Sequence, residues 1–243
     1  MATFKQQAKK FGRYTWTLFK ASILPSLMYI CASSILMMLL FRDEKVVWDG
    51  GKIAWTIICI LGGAGYNLLA MWGYGGNAYE MLVSGNVKRS TMDAYGNVYK
   101  MSSHKEAQEY RVWKGFAIGA FVALFPIIFG IFFGAKQWAI GSGEYGMGFG
   151  LLIIIGFFLS GWSTLPLYCM SKAGVAVNYF WNLAFILIPI LVSGAGYIIG
   201  AYSRRNKAIK KQETEEKIRQ AQEKKEKKIN YGGLPGTKPK KRK

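Results

Sequence analysis

Residues 176–205 read AVNYFWNLAFILIPILVSGAGYIIGAYSRR, with no charged residue before Arg204. About 18 uncharged apolar residues suffice to carry a helix across the ~30 Å hydrocarbon layer of a bilayer. The stretch therefore predicts a membrane helix over 176–201 that stops at a basic boundary. Four more segments share this character, at about 21–41, 53–75, 115–135 and 148–168. Between them the charge is packed into short blocks. The whole chain of 243 residues carries 32 Lys and Arg against 13 Asp and Glu, a net charge of +19. These features predict an all-α membrane protein, a polytopic helix bundle of four or five transmembrane crossings over 1–201. A basic tail follows over 202–243, helical to about residue 230 and disordered beyond.

The blocks add detail. Residues 1–20 interleave Phe11, Tyr14, Trp16 and Phe19 with basic residues, as expected of an interfacial lead-in. The apolar stretch that follows lacks a small-residue cleavage site, so it reads as a retained span. Gly62, Gly63 and Gly65 would loosen the second span or admit a close neighbour. In 76–114 the phrases SGNVKR and YGNVYK carry Gly-Asn turn signals, and SSHKEAQEYRVWK at 102–114 predicts a short helix capped by Ser102 or Ser103. In the tail, Glu213–Lys217, Glu215–Arg219 and Glu223–Lys227 are favourable i,i+4 pairs.

Lys and Arg accumulate on the cytoplasmic side of membrane proteins. Along the chain the count is 5 before the first span, then 3, 6, 1 and 1 in the loops, and 16 in the tail. Five full crossings put the two ends on opposite sides and leave either the tail or the other basic blocks outside. The conflict disappears if one apolar segment enters and leaves on the same face. Residues 148–175, with several glycines, Pro166, Ser160, Ser163 and Thr164, are the expected re-entrant segment. Five full spans with the N-terminus outside is the alternative.

The spans hold no Asp, Glu, Lys, Arg or His, whereas proton relays and voltage sensors use such groups within the membrane. No catalytic constellation is expected, and no metal or cofactor. His104 lacks partner ligands even with Glu106 and Glu109 nearby, and Asp93 and Glu80 read as solvated. GSGEYG at 141–146 fits a dinucleotide-loop pattern only formally, because it joins two membrane segments instead of a strand and a helix. Cys31, Cys59 and Cys169 read as small packing residues. Gly115/Gly119, Gly130/Gly134 and Gly196/Gly200 are small-x-x-x-small pairs that permit close helix packing, within the chain in preference to an oligomer face. Asn67, Asn178 and Asn182 are amides in apolar surroundings; the last two would share a helix face and bond a neighbouring helix or line a polar path.

The tail residues Arg204, Arg205, Lys207, Lys210, Lys211, Lys238, Lys240, Lys241, Arg242 and Lys243 are the candidate contacts for anionic lipid headgroups. RNA, as on a ribosome, is the less favoured partner. YNLLAMWGYGGNAYEMLVSGN and EYRVWKGFAIG, through Trp72, Gly73, Gly75, Asn77, Gly85, Lys114, Gly115, Ile118 and Gly119, resemble multi-pass membrane proteins of clostridia-like Gram-positive bacteria. The resemblance implies a bacterial plasma membrane and gives no activity; the excess of Lys and Arg is what predicts a cytoplasmic tail. The basic tail is also similar in outline to that of membrane insertases, but the arginine that many of those carry in a membrane groove has no counterpart here. The leading expectation is a non-enzymatic scaffold or accessory subunit of a membrane complex, as a homo- or hetero-oligomer. A channel or transporter for a neutral solute and a ribosome-docking or insertion factor are the alternatives.

Overall fold

The structure, a computed structural model, describes residues 4–41, 49–83, 109–137, 140 and 146–231. Among those residues the regular structure is helical, with no strand. The elements are α1 (Phe4–Leu40), α2 (Gly50–Val83), α3 (Trp113–Val122), α4 (Leu124–Ala135), α5 (Met147–Lys172), a 3-10 turn (Tyr179–Trp181), α6 (Asn182–Phe185) and α7 (Leu187–Tyr231). Four helices are long and apolar enough to cross a membrane, or five if the bent pair α3–α4 is one span. Two compact units divide the chain, Met1–Ala201 and Tyr202–Lys243.

Within the first unit the helices run between two ends. At one end Tyr14 stacks on Trp113 at 6.0 Å, Tyr79 meets Tyr110 at 6.1 Å, and Tyr110 stacks on Tyr197 at 5.1 Å. At the other end Phe132 meets Phe149 at 5.6 Å and Phe133 meets Tyr179 at 6.4 Å. There Gln137 also donates to the Val177 carbonyl at 3.0 Å. The start of α1, the end of α2, the start of α3 and the exit of the chain at Ala201 thus share the first end. We call it the tail end. The lead-in expected over 1–20 is not separate from the first span, since from Phe4 onward α1 is one uninterrupted helix.

Proline explains two of the breaks. Pro126 has no N–H for the Val122 carbonyl, and its ring crowds that turn. The helix breaks there, and α3 and α4 meet at 50°. Their 10 and 12 residues still cover ~30 Å end to end at 1.5 Å per residue. Pro189 likewise deprives the Phe185 carbonyl of its donor, and α6 ends there. The segment expected as one helix over 176–201 is therefore broken. Asn178 is extended and accepts from Phe180 N as the cap of the 3-10 turn. Asn182 is helical and fully buried. The two amides do not share a face. Residues 109–112, expected at the end of a helix, lie outside any helix.

Close approach is what the interior glycines provide. A Cβ on Gly75 would lie 2.0 Å from the Tyr197 carbonyl oxygen, and one on Gly200 would lie 2.0 Å from that of Trp72. α2 and α7 run in the same direction there, with backbone against backbone.

Candidate functional site

Helix α5 does not run straight. In an unbroken helix Phe157 and Tyr168, eleven residues apart, would be separated by ~16 Å along the axis. Their ring centroids are 5.2 Å apart. Phe41 reaches both, at 6.3 and 6.0 Å. The helix, continuous from Met147 to Lys172, is therefore sharply bent, and the pairing of 157 with 168 centres the bend near Trp162. Pro166 contributes by leaving the Trp162 carbonyl without its i+4 donor. The Trp162 N–H, which a regular helix aims at the Phe158 carbonyl, donates at 2.9 Å to Ser33 Oγ on α1. Ser33 in turn donates to the Tyr29 carbonyl at 2.9 Å. The Trp162 ring, 1 % exposed, packs on Tyr29 at 4.7 Å. From Phe41 to Tyr29 is twelve residues of α1, so the hairpin tip lies ~18 Å into the bundle.

The tip is polar but internally paired. Ser160, Ser163 and Thr164 are all fully buried. Ser160 donates to the Gly156 carbonyl at 2.7 Å, and Ser163 and Thr164 donate to the Ser160 carbonyl at 2.9 and 3.0 Å. Beside the tip, Asn67 Nδ2 donates to Ser193 Oγ at 2.9 Å and to the Pro189 carbonyl at 3.4 Å, while the Ser193 hydroxyl donates to Asn67 Oδ1 at 3.1 Å. The Tyr29 hydroxyl faces Asn67 without a geometrically sound hydrogen bond. Asn182 Nδ2 donates to the Pro126 carbonyl at 3.1 Å, and its Oδ1 is buried without a partner. These groups lock α1, α2, α5 and α7 together at mid-depth. Among the described residues no group of three or more His, Cys, Asp or Glu could hold a metal ion.

All six glycines of the small-residue pairs lie against another segment of the same chain. Gly115 and Gly119 meet α7 at Tyr197 and Ile190, Gly130 meets Asn182, Gly134 meets the Phe180 ring, and Gly196 and Gly200 meet α2 at Leu68 and Trp72. Gly63 receives the Tyr29 ring, whereas Gly62 and Gly65 have nothing within 4 Å. Lys114, at the tail end, is buried. Its Nζ donates to the Glu109 carbonyl and lies 4.9 Å from the centroid of the Tyr14 ring. Burial raises the Tyr110 phenol above its ordinary pKa.

In the second unit Arg204, Arg205, Lys207, Lys210 and Lys211 are exposed on the helix. Among the described residues Lys211 pairs with Glu215 at 3.9 Å and Arg219 with Glu223 at 3.4 Å, where spacing predicted Glu213–Lys217 and Glu215–Arg219; the side chain of Lys227, the expected partner of Glu223, lies outside the described residues. Lys238, Lys240, Lys241, Arg242 and Lys243 lie outside the described residues, as do His104, Glu106, Asp93, the SGNVKR and YGNVYK phrases and most of GSGEYG. Sequence reasoning missed Ser33 and Tyr29, which hold the hairpin tip; a serine inside an apolar span was the only signal. No protein-family model, curated protein or solved structure matches the chain.

Proposed function

We propose that this chain is a polytopic membrane protein of four crossings and one re-entrant hairpin. Its function is that of a non-enzymatic scaffold or accessory subunit, whose working surface is the basic cytoplasmic face. The folding back of α5 carries this reading. With α5 returning to the end it came from, the start of α1 and the exit of the chain at Ala201 lie at one end of the first unit, which supports a topology free of the charge conflict in the sequence. The segments 1–20, 76–114 and 203–243 then hold 27 of the 32 Lys and Arg with 9 acidic residues, leaving 5 basic and 4 acidic residues for the opposite face. The rule that basic residues stay inside makes the tail end cytoplasmic. At about 1 kcal/mol per well-placed Lys or Arg, such a face holds anionic lipid or an acidic partner. The bent α3–α4 pair counts as a full crossing, because its two halves still span the layer.

Topology tests the reading. In a background with the three cysteines replaced, Thr3→Cys, Ser90→Cys and Ser203→Cys should be labelled from the cytoplasm and Ser142→Cys from outside. Labelling of positions 3 and 203 from opposite sides would sink the four-crossing reading. A strictly monomeric protein that captures nothing after gentle crosslinking would sink the scaffold role. The hairpin tip at mid-depth beside Asn67 favours a second reading, passage of a neutral solute. Flux through liposomes that persists without residues 203–243 would establish it.

A further inference from the structure

The hairpin leaves a groove where its legs part, at the end of the first unit opposite the start of α1. It measures about 290 Å³ and is lined by Met37, Phe41, Ile140, Ile154, Phe157 and Tyr168 among others. Gly150, which also lines it, contributes no side chain to fill it. The lining is apolar, and the groove opens on a flank that is itself apolar. Ile154 is 51 % exposed there, and Leu151, Ile155 and Phe158 beside it on α5 are comparably exposed. A void of this size is at the low end for small-molecule sites and too narrow for a folded partner, but it suits a flexible chain. A charge stands beside one of its lining residues. Lys172 Nζ lies 5.7 Å from the centroid of the Tyr168 ring, so a cation stands over one wall of an apolar slot at the membrane boundary.

We propose that this groove holds one acyl chain of an anionic phospholipid, with the headgroup phosphate on Lys172. The chain fills the space between the hairpin legs and the end of α1. The ammonium supplies the charge partner, and the Tyr168 ring forms the wall between the two. The occupant acts as a wedge that keeps the legs of α5 seated against Met37 and Phe41. This inference rests on the membrane reading above. The site is distinct from the basic tail, where lipid would be held by charge alone.

The test uses the full chain in mild detergent, given phosphatidylglycerol or phosphatidylcholine with dioleoyl chains, and native mass spectrometry to count retained lipid. A wash in roughly 0.5 M salt strips lipid held only by exposed charges, since the screening length falls to a few ångströms. Wild type should keep one phosphatidylglycerol through the wash. Ile154→Trp plugs the groove from a half-exposed position, without touching the packed face of the hairpin, and should lower retention of both lipids about tenfold. Lys172→Gln should lower phosphatidylglycerol about fivefold, to the level of phosphatidylcholine. Loss of the wild-type lipid in the salt wash, or equal retention by I154W, overturns the groove and leaves the membrane reading standing. An unchanged headgroup preference in K172Q overturns the role of Lys172. Release of the protein from membranes by alkaline carbonate overturns both readings together.

Discussion

Ser33 is a single hydroxyl on a lipid-length helix, yet it accepts the backbone N–H at the turning point of α5. An N–H left buried without a partner costs about 1–3 kcal/mol. Ser33→Ala should therefore lower the thermal midpoint in detergent, while Ser34→Ala, whose hydroxyl bonds only back to Ile30 of its own helix, should leave it nearly unchanged. Glycines separate in the same way. Gly75→Ala places a methyl 2.0 Å from the Tyr197 carbonyl oxygen, an overpacking that costs about 1–3 kcal/mol or more. Gly62→Ala meets nothing within 4 Å and should be neutral or stabilising by about 0.5–1 kcal/mol, the ordinary gain of alanine over glycine in a helix. Thermal unfolding of the pair measures the contrast. Both residues sit in the same helix of the sequence, and nothing in their local composition tells them apart. The difference lies wholly in which of them faces α7.

At the scale of elements, the reversal of α5 sets the path of the chain. Spin labels at Leu151→Cys and Lys172→Cys, on a cysteine-free background, should report a separation near that of neighbouring helices, ~10–20 Å with the label arms. A straight helix would hold the two positions ~32 Å apart, and a distance in that range would refute the hairpin. Pro126 acts differently. Its bend leaves α3–α4 long enough to cross, so Pro126→Ala should straighten the pair without moving Ser142→Cys to the other side of the membrane. Accessibility labelling of that residue in the P126A background is the check. Both prolines were visible in the sequence as helix breakers. That one bends a span while the other accompanies a full turn depends on partners. Across from Trp162 stands a serine able to accept its N–H; α4 instead continues past the break against Asn182 and Phe180.

For the whole molecule, charge and chain direction act together. Removing residues 203–243 takes away 16 basic residues but leaves the tail end the more basic one, 11 against 5. The truncated chain should keep its orientation, with Thr3→Cys still labelled from the cytoplasm; an inverted label would mean that the tail alone sets topology. Hydropathy and charge are sums over local sequence, and for that reason the sequence by itself determined the apolar helices, the uncharged spans and the basic tail. It also carried the conflict in the charge count and the segment able to resolve it, since glycines, Pro166 and small hydroxyl residues mark 148–175 as a weak helix. Only the tertiary structure decided that this segment bends sharply at Trp162, that Asn182 is buried while Asn178 caps a turn, and which glycines meet a backbone. Those outcomes depend on contacts between residues far apart in the chain, from Asn182 with Pro126 to Ser33 with Trp162 and Asn67 with Ser193. No local pattern encodes such contacts; they form because an N–H or amide removed from water must find its partner on whichever helix the packing brings beside it.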